Sequence, residues 1–208
     1  MRIITKDKEF FKYDLKLIDA AICDLLVKNK IHFIVAGGCF TSQFSQKKIN
    51  DIDVFFKNEE NLQNALDILR NNSEYKLAFN NDWVANIFKG KEKIQFIKKY
   101  FYENTRQVFN AFDFTCVKFA YDGLNCFYHE RFFIDLAARK LVIDNNLPKP
   151  LSTLQRSYKY VSRGFGICPF GMAEIAKKIQ ELKIDWENPN ENDLQFYSDG
   201  TMKFRGLD

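Results

Sequence analysis

The sequence lacks any apolar run long enough to cross a membrane. A bilayer-spanning helix needs about 20 consecutive apolar residues, and no stretch of the 208-residue chain approaches that length. The first residues, MRIITKDKEFF, carry charges where a secretory signal would need an apolar segment. We therefore expect a cytoplasmic protein with no membrane partner.

Residues that commonly bind transition metals are few and poorly spaced. The two histidines, His32 and His129, lie far apart, and no CxxC pair is present. The cysteines are odd in number and scattered: Cys23, Cys39, Cys116, Cys126 and Cys168. This pattern argues against a zinc site and against a disulfide framework, so we interpret the cysteines as packing residues.

Aromatic side chains are abundant, and positive charge is in slight excess. Aromatic residues make up 16% of the chain, led by 22 phenylalanines, which is ample for a packed core. The formal net charge of +4 favours a polyanionic partner, but only weakly, because the effect depends on where the charges cluster.

Apolar periodicity predicts a mixed α and β fold. Spacings of three to four residues indicate helices, and alternation or short β-branched runs indicate strands. The predicted helices cover residues 14–30, 39–44, 59–70, 132–144, 152–162 and 173–182. The predicted strands cover residues 31–36, 49–56, 93–97 and 112–120, with a hairpin or two short strands within residues 75–88. The last twenty residues show no clear pattern.

Two acids share one face of the second predicted strand. Asp51 and Asp53 stand at i and i+2, so their carboxylates emerge on the same side, roughly 6.5 Å apart along the chain. Mg²⁺ takes oxygen ligands, usually one or two carboxylates with phosphate oxygens and water. The pair is therefore a candidate platform for a metal-bound nucleotide, and the alternative is a solvated strand end.

A glycine pair follows the first predicted strand. Gly37 and Gly38 suit a tight turn, and glycine without a Cβ also lets the backbone come close to a triphosphate. Thr41 and Ser42 are candidate hydroxyl donors to the same phosphates. The order of strand, Gly-Gly, short helix and Asp-Ile-Asp strand would place the phosphate cradle beside the metal platform.

The segment VAGGCFTSQFSQKKINDIDVFF, residues 35–56, resembles the signature of the polymerase-beta nucleotidyltransferase superfamily. That superfamily includes CCA-adding enzymes, poly(A) polymerases and small bacterial and phage nucleotidyltransferases. The resemblance implies transfer of a nucleoside monophosphate from an NTP, ATP included, with Mg²⁺ or Mn²⁺ ions held by three carboxylates. An arginine-rich continuation of the CCA-adding motif is missing after Gly38, which argues against CCA addition.

The resemblance implies a third carboxylate on a later strand, and Asp113 in FDFTCVKFA matches that position. An acid inside an apolar run is costly to bury without a partner, which favours a metal ligand, although a cap or an ion pair is an alternative. The competing acids are Asp82, Glu103, Asp122 and Asp135. The predicted catalytic and metal-binding residues are accordingly Asp51, Asp53 and Asp113.

A basic stripe lies on one predicted helix of the C-terminal region. Arg156, Lys159 and Arg163 recur on one face, while Leu154, Tyr158 and Val161 are predicted to occupy the packed face. The stripe is a candidate site for triphosphate or an RNA backbone, and the alternative is a solvated helix face.

Together these patterns predict a mixed α+β nucleotidyltransferase fold, with a small mixed sheet flanked by helices. We expect a core over residues 1–128 and a helical substrate-binding part over residues 129–208. The expected reaction moves an NMP from an NTP to an acceptor hydroxyl and releases pyrophosphate. An RNA end, tRNA included, is the first choice of acceptor because the chain is basic. The alternatives are a protein or small-molecule hydroxyl, or a catalytically silent nucleotide-binding or nucleic-acid-binding module.

Overall fold

The structure is a computed structural model that describes residues 1–144, 147–183 and Glu187. The chain forms two compact units, residues 1–145 and 146–208. The first unit extends past residue 128, where the sequence places the end of the nucleotidyltransferase core, and includes a further helix and a short strand.

The first unit is built on an eight-stranded mixed sheet with the order β1-β8-β7-β2-β3-β6-β5-β4. The strands are β1 (Ile3–Asp7), β2 (Phe33–Ala36), β3 (Ile52–Phe56), β4 (Tyr75–Asn80), β5 (Val84–Lys89), β6 (Glu92–Phe101), β7 (Phe119–Tyr121) and β8 (Asn125–His129). β3 and β6 run parallel, and the other neighbouring strands of this sheet run antiparallel. The sheet is larger than the sequence predicts, and the mixed α and β class is confirmed.

Helices accompany the sheet in the same unit. They are α1 (Lys12–Ile18), a π-helical turn (Asp19–Cys23), α2 (Asp24–Lys28), α3 (Gly38–Phe44), α4 (Glu59–Arg70), α5 (Thr105–Asn110) and α6 (Phe132–Ala137). A short strand, β9 (Lys140–Leu141), follows. None of the helices in the described part of the chain combines the length and the apolar character needed to span a membrane.

Helix α4 begins at the residue predicted from the sequence, and Asn58 caps it. The Asn58 side chain accepts a hydrogen bond from Asn61 N (2.9 Å), which satisfies one of the free N–H groups at the start of the helix. The apolar stripe of Leu62, Ala65 and Leu66 is buried. Asn58 therefore fixes where the chain turns from β3 into the helix that follows it.

The alternation of side chains along β3 divides its residues between two faces of the sheet. Ile52 and Val54 are fully buried on one face, together with their partners Ile94 and Phe96 on β6. Phe55 lies on the other face in a cluster that includes Val108 and Phe109 of α5. Asp53 lies on the same face of the sheet as Phe55, near the start of β3. Its side chain is half-buried there.

The strand predicted over residues 112–120 is wrong for most of its length. Residues Thr115–Val117 form a 3-10 turn, and only Phe119–Tyr121 joins the sheet. Thr115 N donates to Val142 O (2.9 Å) instead, and Phe114 bridges to Ile143. The helix predicted over residues 132–144 accordingly ends at Ala137, because residues 142–144 pair with this segment.

The second unit contains α7 (Pro150–Val161), β10 (Gly166–Ile167) and α8 (Pro169–Gln180). The predicted packed face of α7 is wrong, since Leu154, Tyr158 and Val161 are 42%, 72% and 47% exposed. The buried side chains of α7 are mostly small and polar: Pro150, Ser152, Thr153, Ser157 and Tyr160. The irregular segment predicted for the last twenty residues lies outside the described residues.

Candidate active site

The turn between β2 and α3 requires glycine at position 37. Gly37 has φ +97° and ψ −141°, a conformation that side chains with a Cβ rarely adopt. A Cβ at this position would lie 3.3 Å from Phe112 Cζ. Gly37 N donates to Phe119 O (3.1 Å), so the turn is tied to the neighbouring strand. Gly38 then begins α3.

The two hydroxyl residues after the glycines are buried. Thr41 Oγ1 donates to Cys116 O (2.8 Å), which attaches α3 to the 3-10 turn at Thr115–Val117. Thr41 is 4% and Ser42 9% exposed. Their assignment as phosphate donors stays a prediction, and the burial of both side chains does not favour it.

A residue that was not predicted from the sequence, Gln95, contacts both Asp51 and Asp53. Gln95 on β6 stands opposite Asp53 in the parallel register. Its amide nitrogen donates to Asp51 Oδ2 (3.2 Å) and Asp53 Oδ1 (3.3 Å), and its amide oxygen accepts from Lys93 Nζ (3.2 Å). This amide orientation matches its neighbours, because carboxylates only accept hydrogen bonds and an ammonium group only donates them. We refer to Asp51 and Asp53 as the carboxylate pair.

The row of polar side chains continues across the sheet. Asn86 on β5 stands opposite Gln95, and its side-chain amide, which must present its nitrogen as the donor, lies 2.6 Å from the Gln95 amide oxygen. Asp53, Gln95 and Asn86 thus occupy adjacent strands at one register position. The alternation around Gln95 predicts which face it takes, but only the pairing of β3 with β6 places it between two acids.

The glycine turn lies within the electrostatic field of the carboxylate pair. Cys39 directly follows the two glycines and is 3% exposed. Burial raises the pKa of the Cys39 thiol well above its usual value, and the negative charges of Asp53 and Asp51 raise it further. The short segment after β2 therefore lies close enough to the start of β3 to feel its charges, and the assignment of both to one nucleotide site stays a prediction.

Asp113 does not complete a cluster of three carboxylates. Among the described residues, no group of three or more His, Cys, Asp or Glu side chains is arranged to hold a metal ion. Asp113 is 3% exposed, precedes the 3-10 turn, and its backbone carbonyl accepts from Asp144 N (3.3 Å). It is linked to the site through the adjacent Phe112, which contacts Gly37. The assignment of Asp113 as a third metal ligand stays a prediction.

Asp135, one of the competing acids, has a structural role. It is fully buried, and its carboxylate accepts from Thr115 Oγ1 (2.5 Å) and from Arg131 Nε (3.1 Å) and Nη2 (2.8 Å). These contacts hold the 3-10 turn that follows Asp113. Asp122 likewise caps the turn between β7 and β8 through bonds from Leu124 N and Asn125 N.

A buried charged network lies beside Asp113. Lys118 is fully buried, and its Nζ contacts Asp144 Oδ2 (3.1 Å) and Asp144 O (3.1 Å). His129 Nε2 lies 3.1 Å from the same Oδ2, while His129 Nδ1 accepts from Arg131 N (3.0 Å). Burial lowers the pKa of both Lys118 and His129. A neutral His129 that donates from Nε2 satisfies all of these contacts.

The predicted basic stripe lies on α7 in the second unit. Lys159 is exposed, and Arg156 and Arg163 are half-buried. The Arg163 guanidinium lies 5.9 Å from the centroid of the Tyr160 ring, which is itself buried. At least one side chain of the stripe, Arg163, thus makes a contact within the second unit. The assignment of the stripe to a polyanionic ligand stays a prediction.

Comparison with known sequences identifies a family and one curated relative. The family model described as "Gabija anti-defense 2 family protein" matches residues 5–139. The protein "Gabija anti-defense 2" of Bacillus phage SPbetaL7 is 29% identical over 155 residues. That match covers 73% of this chain and 38% of the relative, so the chain spans well under half the length of this relative.

Comparison with solved structures identifies the fold. A CCA-adding enzyme in complex with ATP matches with a TM-score of 0.70 at 16% identity, covering 93% of this chain and 50% of that chain. The Thermotoga maritima CCA-adding enzyme complexed with tRNA matches with a TM-score of 0.63 at 19% identity, covering 87% and 47%. The chain therefore has the nucleotidyltransferase fold of CCA-adding enzymes and spans about half of their length.

Proposed function

The chain belongs to the Gabija anti-defense 2 family. On that premise we propose that it is a metal-dependent nucleotidyltransferase that counters the defence named Gabija. The proposed reaction moves an NMP from an NTP to an acceptor hydroxyl and releases pyrophosphate. The observation that carries the proposal is the position of the carboxylate pair beside the Gly37 turn, with Gln95 between the two acids.

The side chains at this position fit a divalent cation. Asp51 and Asp53 supply hard oxygen ligands, and Mg²⁺ is often held by one or two carboxylates that leave places for substrate phosphates and water. When bound, Mg²⁺ or Mn²⁺ would neutralise charge on the phosphate oxygens of the nucleotide. Among the described residues no third acid is arranged with the pair to hold a metal ion, and the role that we propose for Asp113 is to support the glycine turn through Phe112.

The remaining residues of the site would bind and orient the nucleotide. Gly37 and Gly38 leave the backbone without side-chain bulk where the triphosphate would approach the carboxylate pair. Lys93, whose ammonium group contacts the Gln95 oxygen, adds a positive charge next to the two acids. We further propose that Arg156, Lys159 and Arg163 of the second unit contact the polyanionic substrate.

We propose an RNA end as the acceptor. The net charge of +4 favours a polyanion, and two structures with this fold are described as complexes with tRNA. Because Cys39, Phe40 and Thr41 follow the glycines in place of an arginine-rich segment, the proposed reaction differs from CCA addition. A hydroxyl on a protein, such as a component of the defence, is the alternative acceptor.

A second candidate function is a catalytically silent module that binds a nucleotide or a nucleic acid. The observation that favours it is the neutral Gln95 beside a carboxylate pair that no third acid joins among the described residues. Such a module would counter the defence by binding alone. The two candidates differ in one measurable respect, which is whether a labelled nucleotide becomes covalently attached to any acceptor.

The test is a transfer assay with each α-labelled NTP, Mg²⁺ or Mn²⁺, and separate samples of bulk RNA and purified defence proteins. We expect label on RNA, and its loss in the Asp51→Ala/Asp53→Ala variant but not in Asp82→Ala, which removes an exposed acid. Label on protein alone would change the acceptor. NTP binding without label on any acceptor would favour the silent module, and label that survives the double substitution would overturn the site.

A further inference from the structure

A row of paired residues runs from the carboxylate pair across the sheet to its edge strand. Asp53 on β3 stands opposite Gln95 on β6, and Gln95 stands opposite Asn86 on β5. Asn86 in turn stands opposite Phe79 on β4. Paired residues share one face of a sheet. Because neighbouring strands lie about 4.8 Å apart, Phe79 is roughly 14 Å from Asp53 on the same face.

A second row lies beside the first on this face. Side chains two residues apart along a strand point to the same side, so Lys93 shares the face of Gln95 and Phe88 that of Asn86. Lys93 is paired with Phe88, and Phe88 with Lys76 on β4. A phenylalanine thus stands between two lysines. We refer to five residues of these rows as the open face: Lys76, Phe79, Asn86, Phe88 and Lys93.

The aromatic side chains of the open face are accessible. Phe79 is 52% and Phe88 36% exposed, and Lys76 is exposed as well. Helix α4 lies against the opposite face, where Leu66 and Leu77 line a groove between the helix and β4. Helix α5 packs at the β3 end of the sheet, in the apolar cluster described above. Two aromatic rings near the carboxylate pair are therefore available to a ligand.

The charge of the open face is positive. Lys76 and Lys93 contribute two positive charges, and none of the five residues is acidic. Glu92 is the acid within β4, β5 and β6, and it is paired with Lys89 on the opposite face. A ligand that complements the open face therefore carries negative charge together with flat apolar groups.

We propose that the open face binds the single-stranded end of an RNA and leads it toward the carboxylate pair. Proteins that bind single strands stack the bases on aromatic side chains and attract the backbone with positive charge. Phe79 and Phe88 supply the rings, and Lys76 supplies a charge beside them. The inference rests on the proposed function in one respect, which is that the acceptor is an RNA.

Two features of the open face favour a single strand over other macromolecules. In a duplex the bases are stacked on one another, so their planes are not available to Phe79 and Phe88. The cores of protein interfaces are depleted in lysine, whereas Lys76 and Lys93 flank Phe88 here. Asn86 adds a side-chain amide, a group that forms hydrogen bonds with base edges.

The experiment measures binding of the full chain to a labelled RNA of mixed sequence by fluorescence anisotropy, in EDTA to prevent transfer. We expect the single strand to bind more tightly than the same sequence in a duplex. Phe79→Ala/Phe88→Ala should weaken binding of the single strand by at least about tenfold, because two stacking contacts are lost. Phe79→Tyr/Phe88→Tyr keeps both rings and should bind as the wild type does.

The matched control is Phe10→Ala/Tyr13→Ala, which should leave RNA binding unchanged. It removes two exposed rings that also lie close to lysines but stand outside β4, β5 and β6. Thermal melting checks that each variant folds. If Phe79→Ala/Phe88→Ala does not fold, Phe79→Leu/Phe88→Leu keeps apolar bulk without the rings, and the same loss of binding is expected.

The contribution of charge is measured separately. Lys76→Ala should lower the slope of log K against log salt by about 0.7, the value for one phosphate contact on a single strand. An unchanged slope would remove Lys76 from the binding surface and would contradict the charge complementarity on which the proposal depends.

Several outcomes would overturn the proposal. They are the absence of RNA binding by the wild type, equal binding of single strand and duplex, and equal losses in the two double Ala variants. If Phe79→Ala/Phe88→Ala keeps its RNA binding and loses binding to a purified defence protein, the open face is a protein interface instead.

Failure of the proposed function has a different signature. RNA that binds to the open face without receiving label from any NTP would refute the transfer reaction and leave this inference standing. Conversely, label on RNA with an unchanged KM for RNA in Phe79→Ala/Phe88→Ala would overturn this inference and leave the proposed function standing.

Discussion

Phe112 Cζ lies 3.3 Å from the point that a Cβ on Gly37 would occupy. This contact joins the glycine turn to the segment that carries Asp113, and it adds to the conformational requirement of φ +97°. We expect Gly37→Ala to lower the free energy of unfolding by about 2 to 3 kcal/mol, because alanine meets both backbone strain and the ring. Chemical denaturation measures the loss.

Gly90 provides the matched control for that substitution. It also has a positive φ, +58°, but nothing lies within 4 Å of its virtual Cβ. Gly90→Ala should therefore cost only the backbone strain, about 1 kcal/mol. Equal losses for the two variants would mean that the Phe112 contact contributes nothing to stability.

Removal of the carboxylate pair should separate activity from folding. We expect Asp51→Ala/Asp53→Ala to abolish nucleotidyl transfer, while Tm in metal-free buffer stays equal or rises, since two like charges held close together are removed. Added Mg²⁺ should stabilise the wild type but not the variant. A variant that unfolds in metal-free buffer would contradict the interpretation of the pair as a functional site.

Asp135 should contribute to stability and not to ligand binding. Its buried carboxylate accepts from Thr115 and Arg131, so Asp135→Ala leaves a buried hydroxyl without its acceptor and should cost about 2 to 3 kcal/mol. Asp67→Ala removes an exposed acid that is also paired with an arginine, Arg70, and should cost less than about 1 kcal/mol. Similar losses in denaturant would contradict this assignment.

His129 should make folding sensitive to mild acid. Burial lowers its pKa against the opposing effect of Asp144, while Lys118 lowers it further and Glu130 raises it. The unfolded chain then binds a proton at higher pH than the folded chain, so stability falls as the pH drops below the unfolded value of about 6.5 and continues to fall down to the folded-state pKa. His129→Gln should flatten this part of the curve of unfolding free energy against pH.

The second histidine tests whether the effect is specific. His32 is exposed, so His32→Gln should keep the pH dependence of the wild type. Identical curves for the wild type and His129→Gln would show that the buried network of Lys118, His129 and Asp144 does not control acid stability.

The local parts of the fold could be predicted from the sequence. The β2 turn, the short helix α3 and the start of β3 lie close together in the chain, and their apolar pattern with Gly37 indicated their order. The Asn58 cap is also a local signal, which is why the start of α4 was predicted correctly.

Features that depend on distant contacts could not be predicted in this way. The apolar run over residues 112–120 indicates a strand when it is considered alone. In the structure, residues 113–115 hydrogen-bond instead with residues 142–144, which are distant in the sequence. Gln95 carries no charge to mark it as a candidate ligand, and a hairpin and α4 separate it from Asp53 in the chain. The buried face of α7 is formed by small polar residues, which hydrophobic periodicity assigns to the solvent side.

The basic stripe on α7 gives the last prediction, because its role depends on which polyanion it meets. If Arg156, Lys159 and Arg163 contact RNA phosphates, each contact displaces a counterion from the RNA. Replacing all three residues by Ala removes these contacts. The slope of log K against log salt should then fall by somewhat under one unit per residue, or about 2 in total. If they contact only the NTP, nucleotide affinity falls and RNA affinity stays unchanged.

The control is Lys12→Ala/Lys16→Ala/Lys28→Ala, which removes three exposed charges from α1 and α2 and should leave both affinities close to those of the wild type. Both affinities are measured across a salt series for the two triple variants, and equal behaviour of the two would show that the stripe is a solvated helix face.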